Sequence, residues 1–220
     1  MKLYCKRFLS ETSARFSGNH LVTIGKALLL LLFGRSIAGF PFGSQAINLE
    51  RSIAAYRVIL TVVSLNQFPV AWATTTSNLA DAYSNRIRGE RSDNLERAID
   101  LYHQTLQVYT QTQSPLKWAR TISNLALAYP QRIWGERAGN LERAIELYHQ
   151  ALRVYTQTQF PLEWAATTNN LAGAYSQRIR GERADNLERV IELLHQALQV
   201  CTQDQFPVDW ALTKSNMAAA

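Results

Sequence analysis

Asn140 to Asp185 reads NLERAIELYHQALRVYTQTQFPLEWAATTNNLAGAYSQRIRGERAD, and near copies flank it on both sides. Asn48, Asn94, Asn140 and Asn186 each open an Asn-Leu-Glu-Arg, so successive starts lie 46 residues apart. Pro69, Pro115, Pro161 and Pro207 keep that interval, and so do Trp72, Trp118, Trp164 and Trp210. A constant period of this length marks a solenoid or array, in which each unit leaves an apolar face that its neighbour must cover. The fold therefore follows from what one unit forms.

Each unit holds two amphipathic runs. Leu95, Ile99, Tyr102, Leu106 and Tyr109 follow one another in steps of three and four, the period of a helix face. From Pro69 to Ile87, the residues Trp72, Leu79, Ala80, Tyr83 and Ile87 form a second stripe of the same kind. Proline at the start of the second run suits a first helical turn, where its missing N–H is no loss. Gly89, Gly135 and Gly181 follow that run, where a left-handed residue can close a helix. Asp93 with Glu96, and Asp185 with Glu188, have capping-box spacing for the next helix. The tryptophans, at helical spacing with Thr76 and Leu79, are expected to bury against the preceding helix. The unit reads as helix–loop–helix, and the fold class as all-α.

Asn170-Leu171-Ala172 with Tyr175, followed by Val190, Ile191, Leu194, Ala197 and Leu198, resembles a tetratricopeptide repeat. The pattern recurs from Asn78-Leu79-Ala80 and from Asn124-Leu125-Ala126. That family repeats every ~34 residues, and about six more residues follow the tyrosine here and about six follow the Ala-Leu. Both additions fall at helix ends, which leaves the central packing intact. A similar lengthening is seen in kinesin-light-chain-type arrays. The Arg-Ile-Arg-Gly-Glu-Arg before Asn-Leu-Glu resembles repeat arrays of cyanobacterial proteins, which often precede a caspase-like protease domain, the CHAT domain. The resemblance covers roughly residues 21–220. It implies a right-handed superhelical solenoid of antiparallel helix hairpins.

The resemblance also implies a use. In tetratricopeptide arrays the first helix of each pair lines a concave groove, and the Asn before Leu-Ala often holds a bound peptide's backbone. Carried over, this selects Asn78, Asn124 and Asn170, and also Asn216, although Met217 follows it where the others have Leu. Thr75, Thr121 and Thr167 come one turn earlier, and Asn85, Gln131 and Gln177 two turns later. The alternative is that each Asn bonds to a neighbouring helix. Asn94, Asn140 and Asn186 are read as helix starts with a structural role.

No catalytic constellation accompanies the repeats. His103, His149 and His195 recur once per unit, but adjacent helices lie ~8–10 Å apart while zinc ligands must approach to ~2.1 Å, so no metal site is expected. Gly18 to Lys26 has the wrong spacing for a phosphate loop, and Ala27 stands where Ser or Thr is required. Nucleophile-elbow and zinc-protease motifs are absent from the sequence. Neither an enzyme nor a cofactor is expected. The formal charge of +6 invites a nucleic-acid reading of Arg86, Arg88, Arg91 and their copies. Arginine and glutamate are interleaved there, without a stacking platform, so pairing with Glu90, Glu136, Glu182 and with Glu96, Glu142, Glu188 is favoured.

The chain ends need separate readings. Residues 1–20 are basic and aperiodic, a candidate mobile arm. Residues 21–40 stand in repeat register, Gly43 with Gly89 and Phe33 with Leu79, as a degenerate N-terminal cap helix would. A secretory signal around Ala27 to Phe33 is the alternative, and Lys26 and Arg35 leave too short a run for a membrane span. Residues 21–220 would thus form one solenoid, cut short in its last repeat. Pro130 must kink its helix or end it near Tyr129. Met217 to Ala219 make no polar cap, so the chain continues or this end associates with another molecule. Cys5 and Cys201 fit no redox or metal spacing, which favours a reducing, cytoplasmic setting. The expected function is a protein–protein interaction scaffold with a peptide or protein partner. Alternatives are the sensor array of a CHAT-type protease and a basic nucleic-acid-binding array. A membrane partner is disfavoured.

Overall fold

The structure, a computed structural model, describes residue 25 and residues 29–32, 34–38 and 43–218. The segment 1–20 and part of the 21–40 cap reading lie outside those residues. The described residues are all-helical with no strand, and within each of two compact units successive helices pack against their neighbours as in tetratricopeptide-like hairpins. The chain divides into two compact units, Met1–Arg88 and Gly89–Ala220.

In the first unit, α1 (Gln45–Leu60) packs against α2 (Pro69–Ser84). The buried faces carry Leu49, Ile53, Tyr56 and Ile59 on α1 and Ala73, Leu79, Ala80 and Tyr83 on α2. Residues 34–38 are helical and lie against α1, because Ser52 Oγ donates to the Gly34 carbonyl at 2.9 Å. A Cβ on Gly34 would stand 2.8 Å from Tyr56 Cε1, so this approach requires glycine.

The second unit runs α3 (Arg91–Thr105), α4 (Pro115–Ala128), a 3-10 turn (Tyr129–Gln131), α5 (Arg137–Leu152), α6 (Pro161–Ser176), α7 (Arg183–Leu198) and α8 (Pro207–Ala218). Each helix packs against the next, and α6 also touches α8. Leu125, Leu141, Leu171 and Leu194 are at most 1% exposed. Burial of one such side chain stabilises by about 2 kcal/mol, which is why the apolar stripes dictate the stacking.

The helix boundaries partly differ from expectation. Proline opens α2, α4, α6 and α8, as its missing N–H predicts. Pro130 ends α4 at Ala128, and the chain continues as the 3-10 turn, whereas α2 and α6 extend to the serines at the corresponding positions. The capping boxes do not form. Helices α3 and α7 begin at Arg91 and Arg183, before Asp93 and Asp185, with no side-chain cap bond. Asn140 and Asn186 lie within the first turns as buried amides, and their Nδ2 atoms donate to the Trp134 and Arg180 carbonyls at 3.0 Å each. Gly43, Gly89, Gly135 and Gly181 do adopt positive φ, between 78° and 85°. They stand just before the residue that caps the next helix, however, rather than closing the helix behind them. The longer connections are ordered by a hydroxyl: Ser64, Thr110, Thr156 and Thr202 each accept the N–H three residues on.

Candidate functional site

The residues carried over from the family pattern separate into three groups. Thr75, Thr121 and Thr167 are buried, at 1%, 0% and 4% exposure. Their hydroxyls donate to the carbonyls of Ala71, Lys117 and Glu163 four residues back, at 2.8, 2.8 and 2.7 Å. They belong to the helix packing. Small Ala, Thr and Ser side chains surround them in the sequence, and a threonine satisfied by its own helix can enter a core.

Asn85, Gln131 and Gln177 are exposed, but their amide nitrogens hold the ends of their own helices. They donate to the carbonyls of Asp81, Leu127 and Gly173 at 2.8, 3.0 and 3.2 Å. The Gln131 and Gln177 oxygens accept from Arg91 and Arg137, respectively. An amide that satisfies orphan carbonyls at a helix end is a terminating device.

The four asparagines differ among themselves. Asn78 and Asn124 are half-buried, while Asn170 and Asn216 are exposed. Asn216 Nδ2 donates to Asn169 Oδ1 at 3.0 Å, across to the neighbouring helix. Asn170 has no side-chain hydrogen bond among the described residues, which leaves donor and acceptor open to solvent.

Asn169 and Asn170 line a cavity of about 300 Å³ between α6 and α8. Its floor is buried Ala165, Cys201 and Thr213, and its rim is exposed Leu162, Ala166 and Leu212. The charged residues on it, Glu163 and Asp209, are both acidic. Burial pushes the Cys201 thiol up, and the nearby Asp209 adds to that, so the sulfur stays protonated and apolar. In the repeat pattern the cavity is marked by Cys201, which stands at a position where Tyr109 and Tyr155 carry a ring and Val63, like Cys201, does not. Trp164 is half-buried beside the cluster of Ala165, Ala197 and Cys201, so it packs toward the helix that follows it rather than only the one before.

The arginine series is engaged. Arg86, Arg132 and Arg178 make twin hydrogen bonds to Glu50, Glu96 and Glu142, at 2.7 to 3.0 Å. Their guanidinium carbons lie 5.6, 5.9 and 5.5 Å from the ring centres of Tyr83, Tyr129 and Tyr175. The histidines are dispersed: His103 and His149 each meet a tyrosine hydroxyl at 3.4 Å, Tyr129 and Tyr175. Among the described residues no three His, Cys, Asp or Glu come together as a metal site would need. No described helix is long and apolar enough to cross a membrane.

Comparison with known proteins agrees with the helical-repeat fold. Residues 72–112 match the tetratricopeptide repeat family. Such repeats generally mediate protein–protein interaction, and the family is typically non-catalytic. The fold is similar to the crystal structure of BtubC (BKLC) from P. vanneervenii, with a TM-score of 0.58 at 19% identity. That similarity spans 92% of this chain and 83% of the other. No curated protein matches by sequence.

Proposed function

We propose that this chain, a tetratricopeptide-type repeat protein, is a non-catalytic scaffold that binds an extended segment of a partner protein along the face carrying Asn124, Asn170 and Asn216. The observation that supports this most is Asn170, exposed and unbonded at the edge of the cavity between α6 and α8. An extended peptide presents N–H and C=O groups in alternation, and an asparagine amide can serve both. Asn124 on α4 and Asn216 on α8 hold the corresponding positions 46 residues to either side, and Asn78 holds that position in the first unit. The buried threonines and the terminal amides fix the helices that present these groups, so little order is lost on binding.

The reading is tested with a photo-crosslinking amino acid at position 170, compared with one at exposed Ile191 on α7. Crosslinked partner peptides are identified by mass, and recovery is repeated with Asn124→Ala and Asn170→Ala combined. Labelling should concentrate at 170 and fall in the double variant. Equal labelling at 170 and 191, or unchanged recovery by the double variant, would remove the groove assignment.

A further inference from the structure

One buried register position holds tyrosine in two units and a smaller residue in the other two. Val63, Tyr109, Tyr155 and Cys201 stand 46 residues apart, each just after the helix that carries Asn-Leu-Glu-Arg. In the complete unit, Tyr155 is 6% exposed. Its hydroxyl donates to the Leu116 carbonyl at 3.4 Å, and its ring meets Phe160 edge-on at 6.2 Å. One unit later that ring is missing. Cys201, 3% exposed, lies at the floor of the cavity between α6 and α8. Leu162, the counterpart of Leu116, lines the same cavity.

The cavity therefore offers, one unit on, the place and the carbonyl acceptor that a tyrosine ring uses in its own chain. Its volume of about 300 Å³ exceeds what an aromatic ring needs; a dry cavity of ~150 Å³ takes up benzene. Its floor residues are buried and its rim residues exposed, so a side chain can enter from solvent. Charge distinguishes the site further. Ala71, Lys117, Glu163 and Asp209 share one register position, and at the filled Tyr109 position Lys117 Nζ sits 4.8 Å over the ring. At the cavity both charged lining residues, Glu163 and Asp209, are acids, which attract a cation beside the entering ring.

We infer that the cavity between α6 and α8 is an anchor pocket for the tyrosine side chain of a partner's peptide segment that carries lysine or arginine next to that tyrosine. The inference rests on the groove reading above and names the chemistry of what the groove binds. The ring would fill the space over Cys201 and its hydroxyl would reach the Leu162 carbonyl. The neighbouring cation would lie against Glu163 and Asp209, and Asn170 would hold the backbone between them.

The test uses the full chain and two probes, p-cresol and the peptide acetyl-Gly-Lys-Tyr-Lys-Gly-amide. Both are titrated by amide chemical shifts, with Tyr→Ala and Lys→Glu peptides as comparisons. Saturable shifts should centre on Ala165, Ala166, Asn170 and Thr213. The alanine peptide should bind about 30-fold more weakly, as when a buried aromatic anchor is truncated. Cys201→Tyr supplies the ring from within and should abolish both probes' binding while leaving the circular dichroism unchanged. Asp209→Lys, at an exposed rim position, should weaken the peptide and spare p-cresol; it also decides the matter if Cys201→Tyr does not fold. No saturable binding of either probe, or binding that a folded Cys201→Tyr leaves intact, overturns the inference. Equal affinity for the lysine and glutamate peptides overturns its charged half. Partner crosslinking at position 170 that survives Cys201→Tyr would leave the groove reading standing and reject the pocket alone.

Discussion

Arg178 grips Glu142 with two parallel hydrogen bonds, Nε to Oε1 at 2.8 Å and Nη2 to Oε2 at 3.0 Å, while its guanidinium lies over the ring of Tyr175. The connection after α6 is thereby tied to α5, and the same tie recurs at Arg132–Glu96 and Arg86–Glu50. Each pair is roughly a quarter exposed, so solvent screens part of the attraction. The planar fork offsets some of that loss, because one geometry satisfies both carboxylate oxygens. Glu142→Gln should destabilise the second unit by about 1 kcal/mol, the upper end for a partly exposed pair. Arg178→Lys should lose most of the same amount, since an ammonium can neither form the fork nor stack as a plane. Urea denaturation midpoints measure both; a lysine variant as stable as the parent would show that charge alone matters.

The same pair sets an acid limit. Hydrogen bonding from Arg86 and Arg178 holds the Glu50 and Glu142 carboxyls below their usual range, with burial opposing. A depressed folded value means the unfolded chain binds protons first, so this stability is present above the ordinary carboxylate value of ~4.3. It is lost as pH falls through the lower folded values. His103 and His149 act in the same direction at higher pH. Burial lowers both, reinforced by Arg143 and Arg132 around His103 against Asp100, and by Arg189 and Arg153 around His149. Their contribution is present above the ordinary value of ~6.5 and lost as pH falls through the folded values. Thermal midpoints should therefore fall in two stages on acidification. His103→Gln with His149→Gln should flatten the first stage and leave the second. A midpoint that rises on going from pH 7 to pH 5 would contradict the sign.

Gly135 and Gly181 give a backbone prediction. Their φ values of 83° and 79° lie in the left-handed region, and an added Cβ would meet no atom closer than 3.7 Å. Space is thus available and the cost is conformational alone. Gly181→Ala should lose about 1–2 kcal/mol, the penalty for a side chain in that region, while Gly173→Ala within α6 should gain stability through helix propensity. Denaturation of the two variants in parallel separates the effects. Equal, small changes would mean that the loop relaxes out of positive φ.

The repeat itself was legible because each hairpin must bury a stripe, and a stripe is written in the spacing of Leu141, Tyr148, Leu171 and their copies. Helix starts were not. Glu-Arg-Ala-Asp is compatible with helix throughout, and no side-chain cap marks where α7 begins, so Asp185 looked like a boundary while Arg183 was one. The Thr167 hydroxyl and the Gln177 amide nitrogen, which spacing assigns to a groove, bond to their own helix. Spacing reports the face of a residue and is silent on which partner its hydrogen bond finds. Cys201 is the opposite case. Its departure from Tyr109 and Tyr155 was visible in the register, but the significance of a missing ring depends on what else fills the space, and only packing shows that.

Tyr155 turns that last point into an experiment. The ring is 6% exposed, contacts Phe160, and sends its hydroxyl to the Leu116 carbonyl. Tyr155→Cys copies into the third repeat what position 201 already has in the fourth. Removal of a buried ring leaves a cavity, and the loss should be about 3–4 kcal/mol if the surrounding helices do not collapse into it. Because stability in a stacked array is a sum of nearest-neighbour terms, the loss should localise to α4, α5 and α6, visible as faster amide exchange there than in α7. p-Cresol in excess should restore part of the loss, since a ligand that binds only the folded state stabilises it by mass action. A variant with an unchanged denaturation midpoint would mean that Tyr155 is no part of the core. A destabilised variant that p-cresol cannot rescue would mean that the helices close over the gap, which makes the open cavity at Cys201 a property of α8 and its acidic rim rather than of the missing ring.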